Sequence, residues 1–194
     1  MPGLAAPLEL YDSDVNQSDL VSALERGNRD FPEDLKMIHR VFLSSTFSDL
    51  RDYRQTVQGA IRQLGAIDVS MEHFGARDER PVDECRRLVR DESDLFVGIY
   101  AHKYGYIPDG SDISIAEMEY KVASVVSMPR FNYLVDETQP WLPAHIDTGA
   151  NRDRLVAFKK GLLKRHICKQ FASRDQLKWS PMWVVTLPCN PLPR

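Results

Sequence analysis

Apolar runs alternate with amphipathic segments along most of the chain, and this alternation limits the folds open to it more than any other feature. Runs typical of buried strands lie at 40–44, 66–70, 95–100, 131–135 and 167–171. Between them, apolar residues recur at steps of three and four, which predicts helices near 50–64, 81–90, 114–126 and 151–166. Because successive strand–helix units build a parallel sheet, we predict an α/β three-layer sandwich, with about five parallel strands and helices on both faces.

The length of the chain, 194 residues, suits one domain. We expect residues 1–37 to form a partly flexible leader and residues 38–177 to form the domain itself. Residues 178–194 are expected to be an irregular or frayed tail, because Pro181 would stop a helix that begins near Ser173.

Composition narrows the classes of function. The net charge of −3 gives no basic field for a nucleic-acid backbone. The three cysteines are far apart, so reduced thiols in a cytoplasmic protein fit better than disulfides or structural zinc. We see no secretory signal, no apolar run that could span a bilayer, no metal-binding histidine pattern and no P-loop. We therefore expect no nucleic-acid partner, no membrane partner and no metal.

Polar side chains follow the first predicted strand, at the sheet edge where parallel α/β folds bind ligands. The hydroxyls of Ser44, Ser45 and Thr46 suit a phosphate group, together with the free amides of the next helix. Phe47 beside them is a further ligand-binding candidate. Helix capping explains such hydroxyls without any ligand, and we expect capping for one of the three.

Four segments in order carry a resemblance to a known family: 41–50 (VFLSSTFSDL), 74–81 (FGARDERP), 94–105 (DLFVGIYAHKYG) and 114–120 (SIAEMEY). Through them the chain resembles Toll/interleukin-1-receptor (TIR)-like domains from about Ile38 to Leu177. More narrowly, it resembles a TIR-like family of unknown function. Members of that family often stand at the N-terminus of STAND or NLR-like signalling ATPases of the NACHT or NB-ARC type.

The resemblance implies a TIR/flavodoxin-like sheet, a role in signalling or immune defence, self-association and a STAND-type ATPase partner. It also implies chemistry, since enzymatic TIR domains place a glutamate at the position of Glu119 to contact the ribose next to nicotinamide during cleavage of NAD. Nucleoside deoxyribosyltransferases, a related fold, use a glutamate on the corresponding helix as nucleophile. Their spacing to a small residue and a proline is matched by Ala123 and Pro129. A carboxylate there stabilises or attacks the positive charge that builds on the sugar when an N-glycosidic bond breaks.

Other candidates complete the predicted site. Glu117 is the second-choice carboxylate on the same helix, although a surface role suits it better. By the resemblance, the loop after the second strand gates the pocket, and Arg77 or Arg80 in it suits a pyrophosphate. One of Tyr100, Tyr104 and Tyr106, which surround the loop after the third strand, suits stacking on an adenine or nicotinamide ring. A solvated loop explains Arg77 more simply, and Tyr104 with Gly105 explains a turn. Glu119 has its own simple explanation, as a partner of the helix N-terminus, Lys121 or Arg130.

Three functions stay open at this point. The first is an enzyme that takes NAD as a substrate and needs no cofactor. The second is a non-catalytic module for homotypic or heterotypic protein contacts, which the charged loop 72–80 and the mixed charges of the second helix suit. The third is a nucleotide-binding sensor that binds without cleaving.

Overall fold

A computed structural model describes residues 39–70 and 81–178, and for Pro81 and Val82 it describes the backbone alone. The predicted leader, the loop that carries Arg77 and the tail beyond Lys178 lie outside these residues.

The described residues form five strands and five α-helices, with one 3₁₀ turn at Pro143–His145. The strands are β1 (Arg40–Ser45), β2 (Ile67–Val69), β3 (Leu95–Tyr100), β4 (Arg130–Val135) and β5 (Lys169–Phe171). The helices are α1 (Arg51–Gln63), α2 (Pro81–Glu92), α3 (Ile115–Val125), α4 (Gly149–Arg165) and α5 (Arg174–Lys178). The alternation read from the sequence is therefore present, with boundaries shifted by at most two residues.

All five strands are parallel and lie in the order β2-β1-β3-β4-β5. The strand order reverses direction between β1 and β3, which pair with Ser44 opposite Gly98. This is the flavodoxin-like order, whose ligands bind outside the carboxyl ends of the two strands at that switch point. The predicted three-layer α/β fold is confirmed.

Side chains of β1 alternate between two separate cores, because successive residues of a strand point to opposite faces. Val41 and Leu43 pack with apolar residues of α1 and α5 on one face. Phe42 packs with residues of α2, α3 and α4 on the other face, where its ring stacks on Phe96 with 6.0 Å between centroids. Ser44 follows the same alternation, so its side chain points to the α2–α3 face.

The predicted capping role of the β1 hydroxyls is wrong. The residue before α1 is Leu50, and no side chain makes a capping hydrogen bond there. Residues 47–50 separate the hydroxyls from the first turn of the helix, so Ser44, Ser45 and Thr46 do not cap it. By contrast, α3 is capped in the ordinary way, since Ser114 Oγ accepts a hydrogen bond from the Glu117 amide at 3.3 Å.

The helix predicted to begin near Ser173 exists as the short α5, and Leu177 anchors it in the core shared with α1. Across residues 39–70 and 81–178, none of the helices combines the length and apolar character that crossing a bilayer requires.

Candidate functional site

A cavity of about 520 Å³ opens at the carboxyl ends of β1 and β3, beside the first turns of α3. Its lining includes Ser45, Thr46, Phe47, Arg54, Lys103 and Glu119. The cavity therefore lies at the switch point that the strand order defines.

Glu119 is buried in the wall of this cavity, with 6% of its surface exposed. Ser44 Oγ donates a hydrogen bond to Glu119 Oε2 at 2.6 Å, and Ser44 is itself buried. The two expected ion-pair partners of Glu119 make other contacts: Lys121 pairs with Glu117 at 2.8 Å, and Arg130 Nη1 donates to two backbone carbonyls. A neutral hydroxyl thus orients one oxygen of the carboxylate.

Cys85 of α2 lies on the same wall and is fully buried. Burial raises the pKa of the Cys85 thiol strongly, and the negative charge of Glu119 and a hydrogen bond to that carboxylate raise it further. The thiol is therefore neutral at physiological pH and donates its proton toward Glu119.

Tyr100 is buried close to Ser44 and Glu119. Its pKa is raised well above the usual range by burial first and by the charge of Glu119 second. Gly98 makes room for it, because a Cβ at position 98 would collide with the Tyr100 ring and hydroxyl. This side of the site is therefore close-packed around the carboxylate.

Arg54 brings a buried positive charge to the lining of the cavity, with only 5% of its surface exposed. Its Nη1 donates to Ser45 Oγ at 2.9 Å and to the Leu43 carbonyl at 3.3 Å. Thr46 borders Gly105, where an added Cβ would lie 3.0 Å from Thr46 Cγ2. Gly105 also has a φ of +96°, so both its backbone conformation and its neighbour favour glycine there.

The mouth of the cavity carries two exposed aromatic rings and the cation of Lys103. Phe47 is 55% exposed and Tyr106 is 67% exposed. The Arg51 guanidinium lies 5.8 Å from the centre of the Phe47 ring, and Lys103 Nζ donates to Ser48 Oγ at 3.2 Å. A flat ring and an anionic group would both find matching side chains at this opening.

Glu117 and Tyr104 line a different groove of about 360 Å³, between α3 and α4. The Tyr104 hydroxyl donates to Glu117 Oε2 at 2.6 Å, and Lys121 Nζ pairs with Glu117 Oε1. Burial raises the pKa of Tyr104 to about 12, with the hydrogen bond to Glu117 as the second cause. The structure thus separates these two predicted residues from the cavity that contains Glu119.

The structure brings five of the predicted residues together, since Ser45, Thr46, Phe47 and Glu119 line the cavity and Ser44 bonds to Glu119. Arg77 lies outside the described residues. Tyr106, one of the three tyrosines considered for stacking, also lines the cavity. Sequence reasoning missed Arg54, Cys85 and Lys103. One signal pointed to Arg54: it falls on the helical repeat with Leu50, Val57 and Ile61, which is the buried face of α1. Cys85 shows no such signal, because on a helix face it reads as a small apolar residue.

Among the described side chains, no group of three His, Cys, Asp or Glu residues lies close enough together to hold a metal ion. The chemistry that the described site offers is that of an oriented carboxylate, two neutral donors and nearby cations.

Comparison with known proteins gives one family match and a structural likeness. No curated protein matches the chain. Among solved structures, the chain is similar to the TIR domains in the activated Roq1 resistosome directly recognizing the pathogen effector XopQ. That likeness has a TM-score of 0.48 and 12% sequence identity, and covers 73% of this chain and 96% of that one. The sequence model of a domain family matches residues 40–180, most of the chain, and the protein therefore belongs to the domain of unknown function DUF4062.

Proposed function

We propose that this domain hydrolyses the N-glycosidic bond of NAD or a related nucleotide, with Glu119 as the carboxylate beside the sugar. The observation that carries the proposal is the state of Glu119 itself. It is a buried carboxylate in a cavity at the β1/β3 switch point, and a hydroxyl orients it at 2.6 Å. Burying an ionised group is costly, so a buried carboxylate that faces a cavity supports a chemical role.

The lining of the cavity supports a nucleotide as the ligand. Phe47 and Tyr106 offer exposed rings for a flat base, while Arg54 and Lys103 offer positive charge for a phosphate. A volume of about 520 Å³ lies within the range of small-molecule sites. The three parts of a nucleotide thus have matching side chains: rings for the base, a carboxylate for the sugar and cations for the phosphate.

The proposed reaction breaks the bond between C1′ of the ribose and the nitrogen of nicotinamide. The bonding electron pair leaves with nicotinamide, which becomes neutral, and positive charge develops on the sugar. Glu119 stabilises that charge. Water then adds to C1′ and releases one proton, so the products are nicotinamide, ADP-ribose and a proton, with no oxidation or reduction.

The test is an assay of NAD consumption at high protein concentration, with and without a crowding agent. Chromatography would measure nicotinamide and ADP-ribose as they form. We expect Glu119→Gln to lower the rate by about 100-fold or more, the effect of removing one strong electrostatic contact to a transition state. Glu117→Gln is the matched control, because it removes a carboxylate from the same helix but from the other groove, and it should keep the wild-type rate.

Turnover that survives in Glu119→Gln would contradict the assignment of Glu119. If the wild-type domain cleaves neither NAD nor other nucleotides, the enzymatic proposal fails and the second candidate takes its place.

The second candidate is a protein-interaction module, and the exposed charges of α2 favour it. Arg86 pairs with Asp83 at 3.7 Å, and Arg90 pairs with Asp91 at 2.9 Å, with about half of each side chain in solvent. Such pairs contribute little to stability and can exchange partners at an interface. Reversing the charges of Arg86 and Arg90 should weaken self-association in sedimentation experiments, and unchanged sedimentation would contradict this candidate. Arg87 is left intact, because it pairs with the buried Glu84.

We place either activity in a signalling or defence effector, on the strength of the resemblance to TIR-like domains. The same resemblance supports a STAND-type ATPase as the partner that controls self-association. Binding of this domain to such an ATPase, measured with purified proteins, would test the partnership, and absence of binding under conditions where the ATPase oligomerises would contradict it.

A further inference from the structure

We propose that Ser44 and Cys85 are positioning residues that hold the Glu119 carboxylate ionised and aimed into the cavity, through hydrogen bonds donated from two different layers of the fold. The inference deepens the proposed function and rests on it for its effect on turnover. The hydrogen bonding itself is testable without any substrate.

Ser44 supplies the first bond from the sheet. It stands on β1 opposite Gly98 of β3, and the strand alternation directs its side chain to the α2–α3 face. Both Ser44 and Glu119 are buried, and the distance from Ser44 Oγ to Glu119 Oε2 is 2.6 Å. A hydroxyl at that distance from a carboxylate makes a strong, charge-assisted hydrogen bond.

Cys85 supplies the second bond from the helix layer. It stands on α2, which packs beside α3, and its thiol lines the cavity next to the carboxylate. The thiol is 2% exposed and keeps its proton, so it acts toward Glu119 as a donor. Cys85 has this role because its thiol hydrogen-bonds to the carboxylate that Ser44 already binds.

Both donors act on the protonation equilibrium of the Glu119 carboxyl. Hydrogen bonds donated to a carboxylate favour its ionised form, whereas burial favours the protonated form. With both bonds present, Glu119 is kept as an anion that can stabilise positive charge on a sugar. Removing either donor weakens the preference for the ionised form and loosens the orientation of the carboxylate.

Other titratable groups surround the carboxylate and stay unchanged in the variants below. Tyr100 faces it from β3, Arg54 from α1 and Lys103 from the loop after β3. On α2, the charge of Glu84 acts on Cys85, and Glu84 is itself paired with Arg87. Because these groups are the same in every variant, differences between the variants reflect the hydrogen bonds of Ser44 and Cys85 to Glu119.

The substrate-free test measures how fast iodoacetamide alkylates Cys85 as a function of pH, with mass spectrometry identifying the modified peptide. Removing the negative charge in Glu119→Gln should release the thiol proton at lower pH and speed alkylation about 10-fold at a given pH. Cys168 is an internal reference, because burial alone raises its pKa. Glu117→Gln is the matched control. An unchanged ratio of Cys85 to Cys168 rates in Glu119→Gln would overturn the link between Cys85 and Glu119.

The turnover test uses conservative pairs of variants. Ser44→Ala should lower kcat about 10- to 100-fold with little change in KM and move the acid limb of the pH profile upward, while Ser44→Thr restores both. Cys85→Ala should show the same change more weakly, and Cys85→Ser should restore the wild-type profile.

A Ser44→Ala enzyme with a wild-type pH profile would overturn the positioning role and leave the enzyme assignment standing. If the wild-type domain has no turnover, the proposed function fails, and the alkylation ratio still decides the link between Cys85 and Glu119.

Discussion

Glu117 and Glu119 stand two residues apart on α3, yet the fold gives them opposite surroundings. Glu117 faces the groove between α3 and α4, where Lys121 and the Tyr104 hydroxyl both bind it. Glu119 faces the switch-point cavity, where Ser44 and Cys85 are neutral donors. Two residues along a helix amount to a rotation of roughly 200°, which explains the different directions.

The difference shows what decides the use of a carboxylate. An ion pair with an exposed lysine balances the charge of Glu117 and makes it a surface contact of modest energy. Hydrogen bonds from Ser44 and Cys85 fix the position of Glu119 in the wall of a cavity. The neighbours that arrive from other elements, rather than the glutamate itself, separate the two roles.

The largest expected effect comes from removing a hydrogen-bond donor to Glu119, compared with removing a donor to Glu117. Ser44→Ala deletes a hydrogen bond to a buried carboxylate and should lower the free energy of unfolding by about 1.5–3 kcal/mol. Tyr104→Phe deletes a hydrogen bond to Glu117, which keeps Lys121 and partial contact with solvent, and should cost about 0.5–1.5 kcal/mol. Denaturant unfolding at neutral pH would measure both, and equal losses would break the distinction between the two sites.

Glycines on the two sides give a second comparison. Gly98→Ala places a Cβ into the Tyr100 ring beneath Ser44 and should destabilise the domain by about 1–3 kcal/mol. Gly161→Ala in α4 adds a Cβ whose nearest neighbour is the flexible end of Arg165 at 3.7 Å. It should stabilise the domain by about 0.5–1 kcal/mol, because alanine favours a helix over glycine. Thermal unfolding of both variants is the measurement, and a neutral Gly98→Ala would show that the Glu119 side is not close-packed.

The smallest effect is a titration. Burial and the hydrogen bond to Glu117 raise the pKa of Tyr104 to about 12, so the folded state holds the phenol proton more tightly than the unfolded chain does. Its contribution to stability is therefore present below the ordinary tyrosine value and is lost as pH rises through the folded value. Glu117→Gln should lower this pKa while burial keeps it above the ordinary range. Ultraviolet absorbance of tyrosinate would follow it, with Glu119→Gln as the control that leaves it unchanged.

The sequence predicted the fold well because the two periods of apolar residues report directly which faces are buried. The resemblance also anticipated a family of unknown function, which the family match confirms. The site was harder to predict. Ser44 and Glu119 are 75 residues apart, and only the pairing of β1 with β3 and the packing of α3 bring them within 2.6 Å. The roles of Arg54 and Cys85 depend on neighbours that no local pattern contains, and cleavage of NAD stays a prediction.

The two outermost strands have a consequence for assembly. In the sheet that the described residues form, β2 and β5 are the edge strands and have three residues each. β5 presents the polar, exposed Lys169 and Gln170. Short edge strands that carry charge are poor templates for adding a strand from another molecule. Copies of this domain that stack into a larger assembly should therefore meet through helices and loops, so that each sheet keeps its own boundary and the assembly can come apart without unfolding.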